Sequence, residues 1–159
     1  ELYARTTFMA DGYYKNPEVT QQVLDNEGWY HSGDLATMDE NGYVFIKGRS
    51  KNMLLGANGQ NVYPEEIEDK LNSMTMVVES LIIQKGDKLV ALVYPDYEEA
   101  KNMGFTNDDL QHIMEQNILE LNQVHPAYSK ISQVKLMEDE FEKTPKKSIK
   151  RYLYKDVEI

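Results

Sequence analysis

The sequence predicts an α+β protein: a β-rich stretch over residues 1–50, then a small α+β domain over 51–159 in which a short sheet carries flanking helices. Three observations lead there. The first part breaks into short apolar runs separated by Gly, Asn and Asp turn residues. Beyond it, runs of strand composition alternate with runs of helical period. A chain of 159 residues, 41% of them hydrophobic, can bury one good core or two small ones.

The elements follow in order. Residues 2–7 read as a strand and 17–24 as a short helix, with Pro17 at a first-turn position where the missing N–H costs nothing. Residues 35–38 and 43–47 flank Asp39-Glu40-Asn41-Gly42, whose Asn-Gly pair suits a hairpin turn. A brief strand over 53–55 leads into a loop bracketed by Gly56 and Gly59. Pro64 starts a helix to about residue 74. Ile67 and Leu71 share one of its faces, while Glu65, Glu66, Glu68 and Asp69 read as acidic residues favouring its positive end. Residues 77–84 and 88–94 form a second hairpin about Lys85-Gly86-Asp87. Asn107 is expected to cap a helix in which Leu110, Ile113, Met114, Ile118 and Leu121 recur at helical spacing. A late strand over 131–137 precedes a basic tail.

Composition excludes several classes of function. A net charge of -10 argues against general nucleic-acid binding, because an acidic body repels phosphate. No apolar run approaches the roughly 18 residues of a membrane span, and no signal-peptide pattern opens the chain. Without cysteine there is no disulfide, thiolate metal site or Cys nucleophile. His31, His112 and His125 lie too far apart for a His-rich zinc motif. The expected location is the cytoplasm, free or at a membrane periphery. The first residues, ELYARTTFMADGYY, read as a strand already inside a fold, so a longer parent protein is expected.

Four segments carry chemistry. In GWYHSGD, Asp34 stands in a Ser-Gly turn, where a fixed carboxylate can accept hydrogen bonds from vicinal hydroxyls such as a ribose diol. A turn former bonding its own backbone is the stronger reading of those letters alone. His31 reads as a structural turn residue, and Tyr13 and Tyr14 of the upstream GYYKNPEVTQQV as packing residues. In GRSKN, Arg49 offers a planar cation for ribose or phosphate oxygens. In GANGQNVYPEEIE, the glycines permit positive φ and close approach by a ligand. In EFEKTPKKSIKRYLY, Lys143, Lys146, Lys147, Lys150 and Arg151 gather in nine residues of an otherwise acidic chain, as a polyanion site or a solvated end.

Together these segments resemble the AMP-forming adenylating enzymes: acyl-CoA synthetases, luciferases and peptide-synthetase adenylation domains. The wording GRSKNMLLGANGQNVYPEEIE is most similar to the long-chain fatty acid–CoA ligases. The resemblance implies that residues 1–50 are the β-rich tail of a large N-terminal domain and 51–159 its mobile C-terminal partner. It gives Asp34 and Arg49 the ribose of ATP, Lys51 the hinge, and Gly59 the passage of the pantetheine thiol of CoA. It also implies a tail lysine that stabilises charge during adenylation without covalent chemistry. Aligning Lys143-Thr144 and Arg151 with the family's KTxxGKxxR pattern puts Lys147 at its glycine and Ser148 at its lysine. Lys147 is therefore the first candidate for that role and Lys150 the second. Glu66 and Glu68 are read as the acidic start of a helix rather than as catalytic groups.

The implied function is the C-terminal part of an ATP-dependent, AMP-forming long-chain fatty acid–CoA ligase, with ATP, CoA and Mg²⁺ as cofactors. Mg²⁺ is expected to be held with ATP and not by this chain. The expected partners are a fatty acid and the rest of the large domain. The family's Ser/Thr- and glycine-rich phosphate loop does not occur in these residues, so the chain alone is expected to be inactive. The alternatives are an adenylation domain that loads a carrier protein, and a non-catalytic module whose basic tail docks an anionic partner.

Overall fold

A computed structural model describes residues 1–56 and 58–159; Ala57, within the predicted glycine loop, lies outside them. The chain divides into two compact units, Glu1–Met53 and Leu54–Ile159.

The first unit is built from two small antiparallel sheets and one short helix. Strands β1 (Tyr3–Ala4) and β2 (Tyr30–His31) pair with each other. Between them, α1 (Pro17–Val23) is capped by Asn16, whose side chain accepts the Val19 N–H. Strands β3 (Asp34–Met38) and β4 (Val44–Arg49) form the predicted hairpin. The Asp39 carboxylate shapes its turn by accepting the N–H groups of Asn41 and Tyr43 at 3.0 and 2.8 Å. The strand predicted over 2–7 shrinks to two residues, because only Tyr3 and Ala4 pair in register with β2. The packing expected of Tyr14 is corrected, since it is 87% exposed, whereas Tyr13 is half-exposed and its side chain bonds Tyr30.

The second unit is the predicted small α+β domain. Strands β5 (Leu54–Leu55) and β6 (Asn61–Val62) close a short ribbon before α2 (Pro64–Asn72). Strands β7 (Val77–Lys85) and β8 (Lys88–Pro95) form the second hairpin. Two helices, α3 (Tyr97–Met103) and α4 (Asn107–Val124), then carry the chain to β9 (Ile131–Leu136), which joins β8 in parallel. Parallel pairing demands such a crossover, which a tight turn cannot supply. The Asn122 amide fixes the entry to β9, bonding both the N–H and the C=O of Ile131 at 2.8 Å.

The sheet, in order β7-β8-β9, is buried on both faces. Ile82, Leu89, Ala91 and Val93 pack against Ile67 and Leu71 of α2 and Met114, Ile118 and Leu121 of α4. Leu81, Ile83, Val90 and Leu92 meet Phe141, Ile149, Tyr154 and Val157 of the tail. That double burial is why β7 and β8 carry near-continuous apolar runs instead of alternation. Each fully buried leucine, such as Leu71, Leu81 or Leu92, contributes about 1.5–3 kcal/mol by leaving water.

Two helix starts depart from expectation. The cap of α4 is Thr106, not Asn107: its hydroxyl accepts the Asp109 N–H while the Asp109 carboxylate accepts the Thr106 N–H, a reciprocal capping box. The Thr106 hydroxyl, which donates to the Asp109 carboxylate at 2.7 Å, and then the Thr106 N–H hold that carboxyl below its ordinary range. Helix α3, absent from the sequence expectation, is marked by its ends, with Asp96 as N-cap and Gly104 left-handed at φ +76°.

Candidate functional site

The predicted ribose residues lie together at one end of the β3–β4 hairpin. Asp34 and Arg49 are cross-strand partners, one at the start of β3 and the other at the end of β4. A bulge between Leu35 and Ala36 follows at once, the kind of irregularity that re-aims side chains beside functional sites. The Arg49 Nε lies 3.1 Å from Asp34 Oδ1, and Nη1 donates to the Ser32 carbonyl at 2.9 Å.

The turn that carries Asp34 is over-determined. The Ser32 hydroxyl donates to the Leu2 carbonyl at 2.7 Å and accepts the Asp34 N–H at 3.0 Å. The Leu2 N–H returns to the Asp34 carbonyl at 2.7 Å, and the Ser50 N–H reaches the Gly33 carbonyl at 2.9 Å. Gly33 has φ +72°, a conformation that a residue with a Cβ enters only at a cost. Asp34 retains 29% and Arg49 54% of side-chain exposure, so the pair is fixed yet open to solvent. A clamped, accessible carboxylate is what acceptance from a diol requires.

Around this turn the aromatic residues are structural. His31 stacks on Tyr3 with ring centroids 4.1 Å apart, and its Nε2 lies 3.2 Å from Asp25. The Asp25 carboxyl is held below its usual range, first by the Trp29 N–H and then by His31. Arg5 sits 4.6 Å over the Trp29 ring. Its hydrogen bond with Tyr13 pushes the Tyr30 phenol up.

Lys51 lies exposed in a single 3₁₀ turn, Ser50–Asn52, two residues before the division between the units. Gly59 stands in the glycine loop with φ +77°, its N–H donating to the Gly56 carbonyl at 2.8 Å and open space where a Cβ would sit. Gly56 is different: a Cβ there would meet the Gln60 carbonyl oxygen at 3.2 Å.

The basic tail folds into a tight hairpin. Lys143 and Ile149 pair as an isolated bridge, and the Thr144 N–H donates to the Ser148 carbonyl at 2.8 Å. The Lys147 N–H closes the turn on the Thr144 carbonyl, also at 2.8 Å. Lys147 itself is left-handed, at φ +61°. A type I turn followed by a left-handed residue is a favoured hairpin form, and glycine is its favoured last residue. The residue aligned with the family's glycine is therefore the one in the glycine conformation. Lys146, Lys147 and Ser148 are exposed at the tip.

Neither reading of the tail as a polyanion site or a solvated end describes the other cations. Lys143 pairs with Glu79 at 2.5 Å, Lys150 with Glu142 at 3.1 Å, and Arg151 with Glu68. Glu79 raises the Lys143 ammonium and Glu142 that of Lys150. Of the two lysines proposed for catalysis, Lys150 is engaged by a carboxylate while Lys147 projects from the tip.

Glu68 is the residue that the sequence did not reveal. It is not a helix-end carboxylate in water but is 7% exposed, in the second turn of α2. One oxygen accepts the Ile82 N–H at 2.7 Å and the other meets the Arg151 guanidinium. Burial pushes its carboxyl above the ordinary carboxylate range, and Arg151 offsets that rise only in part. Its partner is 83 positions away, so no local pattern announces it.

Among the described residues there is no group of three or more His, Cys, Asp and Glu side chains able to hold a metal ion, and no helix long and apolar enough to cross a membrane.

Comparison with known proteins supplies the family. The profile of the AMP-binding enzyme C-terminal domain matches residues 51–156. A putative acyl-CoA ligase, YdaB of Bacillus subtilis, is 30% identical over 87% of this chain and 26% of its own length. A long-chain-fatty-acid–CoA ligase of Yersinia pestis is 43% identical over 52% of the chain, and a medium-chain fatty-acid–CoA ligase of Escherichia coli 40% identical over 48%; these stretches are 14% and 13% of the two enzymes. The chain thus spans about a quarter or less of these relatives. Among solved structures, ATP-bound MatB from Rhodopseudomonas palustris superposes with TM-score 0.63 at 28% identity, over 92% of this chain and 28% of that one. The adenylation domain of a carboxylate reductase from Mycobacterium chelonae shares the fold, with TM-score 0.79 at 21% identity over 92% of this chain and 24% of that one.

Proposed function

The chain belongs to the adenylate-forming enzymes through their AMP-binding C-terminal domain, and we propose that it is the C-terminal part of an ATP-dependent ligase joining a long-chain fatty acid to CoA. In the first step the carboxylate attacks the α-phosphorus of ATP, giving acyl-AMP and pyrophosphate. In the second the CoA thiol takes the acyl group and AMP leaves. The observation that carries this reading is the Asp34–Arg49 pair, clamped by the Ser-Gly turn and open to solvent.

Each residue then has a task. Asp34 accepts hydrogen bonds from the ribose hydroxyls. Arg49 holds that carboxylate in orientation, with Nε 3.1 Å from Oδ1, and offers its remaining N–H groups to the same sugar. Lys147 is the first candidate for the cation beside the reacting phosphate and Lys150 the second; the exposed hairpin tip supports Lys147. Lys51 serves as the hinge, and Gly59 leaves room for the thiol. ATP, accompanied by Mg²⁺, and CoA are the cofactors, and the ATP-bound relative supports the first of them. The YdaB, Yersinia and E. coli relatives support an acyl-CoA product; the Yersinia relative supports the long chain, while the E. coli enzyme is named for medium-chain acids.

The test is to supply the complete ligase with ATP, a long-chain or a medium-chain fatty acid, and either free CoA or a phosphopantetheinylated carrier protein. Acyl-CoA formed preferentially from the long-chain acid is expected. Transfer only to the carrier would replace the acceptor, preference for the shorter acid would replace the substrate, and no ATP-dependent product from any combination would overturn the reading.

A further inference from the structure

The tail hairpin is anchored to the sheet by both arms. Its first arm is held by the Lys143–Glu79 ion pair to β7 and by Phe141, which is 3% exposed in the second core. Its second arm is held by Arg151, whose guanidinium meets Glu68 and lies 3.8 Å from Glu65, both on α2. The arms are also tied to each other. The Lys150 N–H donates to the Glu142 carbonyl at 2.8 Å, the Glu142 N–H to the Tyr154 hydroxyl at 2.7 Å, and Phe141 meets Tyr154 edge-on at 5.0 Å.

Such a frame is more than a burial device. Apolar contacts alone fix the depth of a segment, but they tolerate small rotations and shifts. A buried carboxylate that bonds an Ile82 backbone N–H and a guanidinium has one good geometry, and losing either partner is costly. Glu68 thereby registers three elements at one point: α2, β7 and the base of the tail hairpin. Arg151 lies four residues beyond Lys147.

We propose that Glu68 is a positioning residue: acting through Arg151, it fixes the base of the tail hairpin so that the tip, Lys146-Lys147-Ser148, is held in one conformation before any substrate arrives. Glu79 acts likewise through Lys143 on the other arm, with a weaker hold because Lys143 keeps 29% side-chain exposure. The consequence for catalysis rests on the ligase reading above; the consequence for the hairpin does not.

Glu68→Gln tests both. Glutamine keeps the volume and can still accept the Ile82 N–H, so only the charge opposite Arg151 is removed. In the 159-residue chain, amide hydrogen exchange at Thr144, Lys147 and Lys150, whose N–H groups close the hairpin, should speed by about tenfold or more. Amides of β8 should keep their protection. Unchanged exchange at the three hairpin amides would overturn the proposal. If Glu68→Gln instead loosens β8 as well, Arg151→Gln, altered at the hairpin side of the pair, becomes the deciding variant under the same two readings.

In the complete ligase, Glu68→Gln should lower kcat for ATP–pyrophosphate exchange about tenfold, with KM for ATP unchanged and acyl transfer from supplied acyl-AMP intact. Equal loss in both half-reactions would mean a merely structural role and overturn the positioning claim. Absence of exchange in the unmutated enzyme would count against the ligase reading alone, while the hydrogen-exchange result would still decide the hairpin.

Discussion

Replacing Lys147 by glycine should stabilise the second unit, an unusual expectation for a change to glycine. Lys147 holds φ +61° at the hairpin turn, and a left-handed backbone costs a residue with a Cβ about 1–2 kcal/mol. Glycine escapes that cost but loses more freedom on folding, about 0.5–1 kcal/mol. The exposed side chain makes no ion pair among the described residues that would offset the gain. The net gain is about 0.5–1 kcal/mol, which for a unit of this size corresponds to about 2–6 °C in Tm. The tail packs Phe141, Ile149 and Tyr154 against the sheet, so the turn belongs to the unit's cooperative core and its strain is felt there. Far-UV circular dichroism during urea unfolding follows this unit through α2 and α4, while fluorescence of Trp29, the chain's one tryptophan, follows the other. Lys147→Ala keeps the strain and removes the charge, so it should unfold no later than the unmutated chain. A glycine variant no more stable than the alanine variant would refute the strain argument.

Two other outcomes follow from the packing and the titrating groups. Leu71→Ala, at a fully buried position between α2 and the sheet, should cost about 2–5 kcal/mol in urea unfolding of the second unit and leave the Trp29 transition in place; a loss below 1 kcal/mol would contradict the packing described. Burial, and then the neighbouring Lys70 ammonium 3.4 Å away, lower the His125 pKa below its ordinary 6.5. The unfolded chain therefore binds the proton more readily, so His125 contributes stability above about pH 6.5 that is lost as pH falls towards its depressed folded value. His125→Asn should flatten that part of the Tm–pH curve, and an unchanged slope would remove His125 as its cause.

What was legible in the sequence was what local chemistry encodes. The Asn41-Gly42 turn, Pro17 and Pro64 as helix starts, and the helical period from Leu110 to Leu121 all correspond to observed elements. Misreadings arose where two residues competed or where the signal lay elsewhere. Thr106 and Asn107 can both cap, and only Thr106 has an acidic residue three places on to complete the box. Helix α3 buries only Ala100, so it has no apolar period, and its marks were Asp96 and Gly104 at the ends. Glu68 failed for a third reason: a carboxylate in the opening turns of a helix resembles a dipole partner until the fold brings up Arg151 from the tail. The Asp34–Arg49 proximity was likewise invisible in spacing, since the β3–β4 register creates it.

The central claim, that the Asp34–Arg49 pair holds the ribose of ATP, is tested most directly by ATP–pyrophosphate exchange in the complete ligase carrying Asp34→Ala. Hydrogen bonds to a charged acceptor are worth about 1.5–3 kcal/mol, so losing them should lower kcat/KM for ATP by about 10- to 100-fold or more, with the urea midpoint of the first unit little changed. Exchange within about twofold of the unmutated enzyme would contradict the account.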